Sequence, residues 1–169
     1  NPNDGRVIGK FINQSIKKEP LTINGNGKQT RSFCFVDDLI DGLILLMNSS
    51  CREPINLGNP SEISIYDLGK KISTKLNLQF KYIYSNILQD DPIYRKPCIK
   101  KAKYQLNWEP KINLDYGLEK TIYYYNKNQF WSIIHQQNSI LRTGKYKKME
   151  HTDKIILITG AAGFIGAEL

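Results

Sequence analysis

A mixed α/β fold is what this 169-residue sequence predicts, and three observations carry it. Helical and strand-like patterns alternate from the N-terminus to about residue 126. Clusters of Gly, Pro and Asn punctuate them. The chain then finishes on "KIILITGAAGFIGAEL", a buried-strand pattern running through spaced glycines into the opening of a helix.

The first element is a helix in "GRVIGKFINQSIKK", where Val7, Ile8, Phe11, Ile12 and Ile16 fall at helical spacing and two lysines follow the last turn. "EPLTINGNGKQTRSFCFVDD" places two β-rich runs on either side of "NGNG", a sequence suited to positive φ, and predicts a hairpin or two closely joined strands. Asp37 or Asp38 is expected to cap the next helix, "DLIDGLILLMNSS", whose apolar positions are dense enough to bury most of its circumference. "EPINLGNP" reads as a short buried strand with a Gly and Pro stop. "SEISIYDLGKKISTKLN" reads as a strand end and a helix capped by Ser64, and "LQFKYIYS" as an alternating strand. A short helix near "IKKAKYQL" and a longer one near "DYGLEKTIYYYNKNQF" complete the compact part, which is expected to end near Asn128. Residues 129–150 read as a weak helix and linker, and 151–169 as the start of a Rossmann domain.

Composition narrows the function. A hydrophobic content of 40% and a charged content of 24% fit a folded globular core. No apolar run approaches the roughly 18 residues needed to span a bilayer, and "NPNDGRVIGK" lacks the layout of a signal peptide, so the cytoplasm is expected. Cys34, Cys51 and Cys98 are widely spaced and outside any metal signature, and read as reduced thiols. The net charge of +8 suggests an anionic partner, but the basic residues are dispersed, which favours a solvated lysine-rich surface over a nucleic-acid footprint. His135 and His151 have no ligand or acid-base partner at a motif spacing, so no metal site is expected.

In the closing motif, Gly160 suits the tight turn. Gly163 and the small Ala161 let backbone N–H groups approach a pyrophosphate, with Phe164 and Ile165 opening the helix, and Gly166 permits close packing of helix on strand. The acidic residue that would bind a ribose belongs about 20 residues further on, past Leu169.

This TGxxGxxG spacing resembles the extended short-chain dehydrogenase/reductase family of NAD-dependent nucleotide-sugar epimerases, dehydratases and decarboxylases. Residues 1–126, in "INGNGKQTRSFCFVDDLIDGL", "PINLGNPSEISIYDL" and "DDPIYRKPCIKKAKYQLNWEPKINLDYGLEKTI", resemble the C-terminal, substrate-binding part of its UDP-glucuronate decarboxylases. Residues 149–169 resemble the N-terminus of a second family member. The resemblance implies NAD as cofactor, a UDP-sugar as substrate and, since family members often dimerise, a homodimer. It also implies oxidation of C4 of UDP-glucuronate by hydride transfer to NAD, loss of CO2, and return of the hydride to give UDP-xylose. By the same resemblance Arg31 would contact the diphosphate, Arg6 would lie near the cofactor and sugar, and Arg95 would be a further phosphate contact. The stretch containing Thr22 and Asn24 would border the base. A planar guanidinium suits bidentate phosphate recognition. Two positions depart from the family: Asn24 stands where Tyr is common, and Cys98 where Asp is common.

The family's catalytic Tyr-x-x-x-Lys pair belongs on a Rossmann-lobe helix. The pattern occurs here at Tyr66 and Lys70 and at Tyr123 and Lys127, both in the wrong context, so no catalytic residue is assigned and the chain is expected to be inactive by itself. The expected arrangement is the tail of a decarboxylase-like enzyme followed by the head of a second family member. A circular permutant, a non-catalytic nucleotide-sugar-binding or subunit-interaction module, and part of an epimerase or dehydratase are the alternatives.

Overall fold

The computed structural model describes residues 6–86 and 94–140, with 128–140 as helix backbone alone. The elements are α1 (Val7–Ile16), β1 (Leu21–Asn24), β2 (Thr30–Ser32), α2 (Val36–Met47), β3 (Glu62–Ser64), α3 (Ile65–Lys75), β4 (Tyr82–Ser85), α4 (Lys100–Leu106) and α5 (Leu114–Ile140). The predicted mixed α/β class holds. β1 and β4 pair in parallel, Leu21 opposite Tyr82 and Asn24 opposite Ser85, while β2 and β3 form a short antiparallel ribbon.

The "NGNG" segment turns as its glycines suggest, with Gly25 at φ 62° and Gly27 at φ 72°. It joins two strands closely but closes no hairpin. The carbonyls of Gln29 and Gly27 accept from the N–H groups of Ile65 and Tyr66 at the start of α3, at 3.0 Å each. The turn therefore satisfies donors that a helix N-terminus leaves unpaired, and β1 and β2 diverge to separate partners. A side chain at Gly27 would meet Ile23 at 3.0 Å and Tyr66 at 3.2 Å, so both the positive φ and the packing require glycine there.

One core lies between α1, β1, α3 and the first turns of α5, where Phe11, Ile12, Leu21, Ile23, Leu68, Ile72 and Leu118 are wholly buried. Ser64 caps α3 as expected, its Oγ accepting from the Asp67 N–H at 3.0 Å. A second, smaller core gathers Cys34, Leu39, Ile99, Ala102, Leu106 and Trp108 beneath α2 and α4.

Asp38 does not cap α2, and neither does Asp37. The helix begins earlier, with Phe35 at the N-cap, which leaves both aspartates inside the first turn. Asp38 is buried and turns instead to the distant segment before α5: its carboxylate accepts from the N–H groups of Lys111 (3.1 Å) and Ile112 (2.9 Å). The Trp108 indole donates to the Asp38 carbonyl at 2.9 Å. Trp108 lies so close to α2 that a Cβ on Gly42 would come within 2.9 Å of its ring.

Three further expectations change. α2 buries only Asp38, Leu39 and Gly42, and exposes Ile44, Leu45 and Met47, because α4 and Trp108 cover one side of it and nothing described covers the other. "EPINLGNP" forms no strand. Pro54 and Pro60 lack N–H donors, and Ile55 and Leu57 pack as loop residues on the second core. β4 forms, but all four of its residues are exposed rather than alternating, since β1 is its partner on one edge and its aromatic rings stack along the outside: Phe80 on Tyr82 at 5.0 Å, and Tyr82 with Tyr84 at 5.2 Å. The last helix runs on to Ile140, into the stretch where a weak helix is expected.

α3 and α5 are tied at the surface by Lys71 to Asp115 (2.8 Å), Lys75 to Asp115 (3.3 Å) and Lys75 to Glu119 (2.7 Å). Hydrogen bonding from Lys71 holds the Asp115 carboxyl below the ordinary aspartate value against a smaller upward push from burial, with Lys75 adding to the lowering.

Two outcomes follow. Asp38→Ala leaves two backbone N–H groups without their acceptor and should cost about 3 kcal/mol in urea unfolding. Because the folded pKa of Asp115 is depressed, its contribution is fully present above the unfolded value of 3.8 and is lost as pH falls through the lower folded value. Melting curves between pH 6 and pH 2 should therefore separate the wild-type chain from Asp115→Asn at the upper end and bring them together at the lower.

Candidate functional site

β1 ends, like every strand of a parallel pair, with its C-terminal edge open to a loop, and such edges are where α/β folds bind ligands. On β1, Leu21 and Ile23 point into the core and Thr22 and Asn24 share the half-buried face. Thr22 is held by α1: its hydroxyl accepts from Gln14 Nε2 at 2.8 Å and its N–H donates to Gln14 Oε1 at 3.1 Å. Asn24 is fixed at the strand end. Its Oδ1 accepts from Ser85 Oγ at 2.8 Å, and its carbonyl accepts from Gln29 Nε2 at 2.6 Å. The amide orientation of Asn24 is thereby set, with Nδ2 as its donor group.

Arg31 lies on β2 opposite Ile63 and is only 9% exposed, with Nη1 donating to the Thr30 carbonyl at 2.7 Å. A guanidinium this buried needs acceptors from its surroundings. The next residue, Ser32, donates through Oγ to the carbonyl of Arg95 at 2.8 Å, 63 positions along the chain. Lys96 pairs with Glu62 of β3 at 3.4 Å, and Pro97 sits over Gly58, whose Cβ would approach it to 2.9 Å. The segment carrying Arg95 thus reaches the β2–β3 ribbon at Ser32 and Glu62, with the Arg95 side chain exposed. Thr30 donates to Glu62 at 2.6 Å and, with Lys96, holds the Glu62 carboxyl below its usual range.

Arg6 is exposed at the N-cap of α1, its carbonyl accepting from Lys10 N–H at 2.8 Å. The phosphate-loop residues Gly160, Ala161, Gly163, Phe164, Ile165 and Gly166 lie outside the described residues. The other glycine turn, at Gly25 and Gly27, is filled by Ile23 and Tyr66 and offers no cradle for a pyrophosphate. No cluster of metal-ligating side chains is found among the described residues, and none of their helices is long and apolar enough to cross a membrane.

The Tyr66 ring packs edge-on against Phe80 and Tyr82, and a hydrogen bond with Tyr82, followed by desolvation, raises its pKa. An acid-base tyrosine needs the opposite shift. Tyr123 and Lys127 are exposed on α5. Sequence reading missed the residues that set the site's geometry: Gln14, Gln29, Ser32 and Ser85. Their signal is pairing register, which a single sequence does not carry.

Residues 1–58 match the sequence model of the NAD dependent epimerase/dehydratase family. The chain is 45% identical over 137 residues to UDP-glucuronic acid decarboxylase 1 of Xenopus tropicalis, covering 81% of this chain and 32% of that protein. It is 47% identical over 116 residues to UDP-glucuronic acid decarboxylase 4 of Arabidopsis thaliana, covering 69% and 26%. Among solved structures, a UDP-glucose 4-epimerase from Thermotoga maritima with UDP-glucose aligns with a TM-score of 0.73 at 26% identity over 76% of this chain and 42% of that one. A Bacillus cereus UDP-glucuronic acid 4-epimerase in complex with UDP-glucuronic acid and NAD aligns with a TM-score of 0.70 at 27% identity, over 73% and 40%. The class is therefore that of the NAD dependent epimerases and dehydratases, as the sequence motifs imply. Within it, the chain is a homologue of the UDP-glucuronic acid decarboxylases and spans about a third of the length of those curated relatives.

Cys34 supplies no nucleophile. All three are free, and burial, with a smaller push from Asp38, drives the Cys34 thiol up to about 12. Alkylation at pH 8, read by peptide mass spectrometry, should modify the exposed Cys98 readily and spare Cys34 until urea unfolds the chain.

Proposed function

We propose that residues 1–128 form the nucleotide-sugar-binding lobe of an NAD-dependent enzyme of UDP-glucuronate decarboxylase type, which converts UDP-glucuronate to UDP-xylose and CO2. The observation that carries this reading is the Ser32 to Arg95 hydrogen bond, which brings the segments of two arginines together on the β2–β3 ribbon. Arg31 and Arg95 then hold the diphosphate, Thr22 and Asn24 border the base at the end of β1, and Arg6 faces the sugar and cofactor. Asn24 reads the base by hydrogen bonding through Nδ2 in place of stacking, since Ser85 occupies its Oδ1. NAD, when bound on a Rossmann lobe, supplies a reversible hydride acceptor. The loop at Gly160, Ala161, Gly163, Phe164, Ile165 and Gly166 is of the kind that holds its pyrophosphate.

The enzyme works in the cytoplasm, consistent with three free thiols, as a homodimer with a UDP-sugar as its small-molecule partner and without nucleic acid. The second reading is a binding module without turnover. The surroundings of Tyr66 and Tyr123 favour it for this chain taken alone, because neither tyrosine is placed or tuned as an acid-base group.

Calorimetry with UDP and with UDP-glucuronate tests the first reading. Saturable binding is expected, weakened about 10-fold to 100-fold by Arg31→Ala, the range for loss of a charged hydrogen bond. Circular dichroism checks that the variant folds, and Arg95→Ala at the exposed position should weaken binding in the same direction. Absence of saturable heat with either ligand would sink the reading. Assay of CO2 release with added NAD separates enzyme from module: binding without turnover is the module's signature.

A further inference from the structure

β1 and β4 form a sheet of two strands whose outer edges differ. The Leu21 N–H donates to the Lys81 carbonyl at 2.9 Å and the Gly25 N–H to the Ser85 carbonyl at 2.8 Å, which fixes the backbone groups that face inward. Alternation then turns the N–H and C=O groups of Thr22 and Asn24 on β1, and of Tyr82 and Tyr84 on β4, toward the outer edges. On the β1 side, glutamine side chains occupy the edge at both residues: Gln14 Oε1 accepts from the Thr22 N–H at 3.1 Å, and Gln29 Nε2 donates to the Asn24 carbonyl at 2.6 Å. On the β4 side, no residue among those described hydrogen-bonds the outward groups of Tyr82 and Tyr84.

A strand edge with free N–H and C=O groups is a template for another strand, and proteins usually blunt it with a charge, a proline or a bulge. β4, Tyr-Ile-Tyr-Ser, carries neither charge nor proline, and its register with β1 runs without a bulge. Its side chains are open as well, Ile83 at 53% and Tyr84 at 55% exposed. The Tyr82 ring meets Tyr66 and Tyr84 edge-on at 5.3 and 5.2 Å, so the aromatic row is ordered before a partner arrives and little freedom is lost on pairing.

The strand is also complementary to itself. Two copies related by a two-fold axis at Ile83 pair antiparallel, with Tyr82 of each opposite Tyr84 of the other and the two Ile83 side chains face to face. In that register Tyr82 and Tyr84 are the residues that exchange N–H···O=C bonds across the axis, and they are the residues whose backbone groups point outward. The aromatic rows of the two copies join on one face. Lys81 falls opposite the neutral Ser85 of the second copy, so a chain of net charge +8 meets no like charge along the pair. A strand of four residues pairs over far less than the roughly 1,200 Å2 of a stable interface, which sets the association in the upper micromolar range or weaker. We propose that the outer edge of β4 is a pairing site for β4 of a second copy of this chain, giving one continuous sheet across two chains.

Sedimentation equilibrium and amide hydrogen exchange of the 169-residue chain, each over a range of protein concentrations and without nucleotide, test this. A monomer–dimer equilibrium is expected, with exchange at Tyr82 and Tyr84 slowing about 5-fold or more as the dimer fills. The Ile83 amide, which faces β1, should be protected at every concentration. Ile83→Lys and Ile83→Glu each set like charges across the axis and should sediment as monomers; mixed in equal amounts they should dimerise again, because unlike charges then face each other. Circular dichroism checks that both variants fold, and exchange in the unaltered chain decides the matter where one does not. The proposal is overturned by a chain that stays monomeric at about 1 mM, by a dimer that persists in both Ile83 variants, or by a mixture of the two that stays monomeric. Protection of Tyr82 and Tyr84 that does not change with concentration would also overturn it, since the edge would then be covered within one chain. No nucleotide enters either measurement, so failure here is separate from failure of the nucleotide-sugar reading.

Discussion

A buried aspartate sets the frame on which the candidate site rests. The Asp38 carboxylate accepts two backbone N–H groups more than 70 positions away, and its carbonyl takes the Trp108 indole. Those bonds hold the loop between α4 and α5 against the start of α2, and they close the second core around Trp108 and Cys34. A carboxylate in such a place is stabilising only while its acceptors stay filled, because desolvation without partners costs several kcal/mol. It also explains the chemistry of its neighbour: Cys34 is kept protonated by burial, with the Asp38 charge adding to the effect.

The site inherits its shape from strand pairing rather than from any one motif. Parallel pairing of β1 with β4 brings Ser85 to Asn24 and fixes that amide. Antiparallel pairing of β2 with β3 brings Glu62 to Thr30 and, through Lys96 and Ser32, draws in the segment of Arg95. Between the two sheets the Gly25 to Gln29 turn caps α3 instead of closing a hairpin. That one change of partner separates the strand carrying Thr22 and Asn24 from the one carrying Arg31.

α2 shows how local pattern and tertiary packing part company. Its apolar density reads as a helix buried nearly all round, yet Met47 is 82% exposed and Ile44 and Leu45 are largely open. Hydrophobic content states that a face prefers cover; it does not say which element covers it. β4 makes the same point with aromatic residues, whose rings stack on one another along an exposed strand where alternation had suggested a buried face.

The sequence by itself determined the alternating α/β class, the positions of α1, α3, α4 and the start of α5, the Ser64 cap and the positive-φ glycine turn, because these depend on residues a few positions apart. Only the tertiary structure decided which strands pair, that Asp38 is a long-range acceptor and not a helix cap, that Pro54 to Pro60 stays a loop, and that Arg31 is buried while Arg6 and Arg95 are exposed. The physical reason is range. Capping and periodicity are satisfied within a turn or two of chain, whereas pairing, burial and the closing of a charge's hydrogen bonds are settled by whichever distant segment reaches the group first and excludes water.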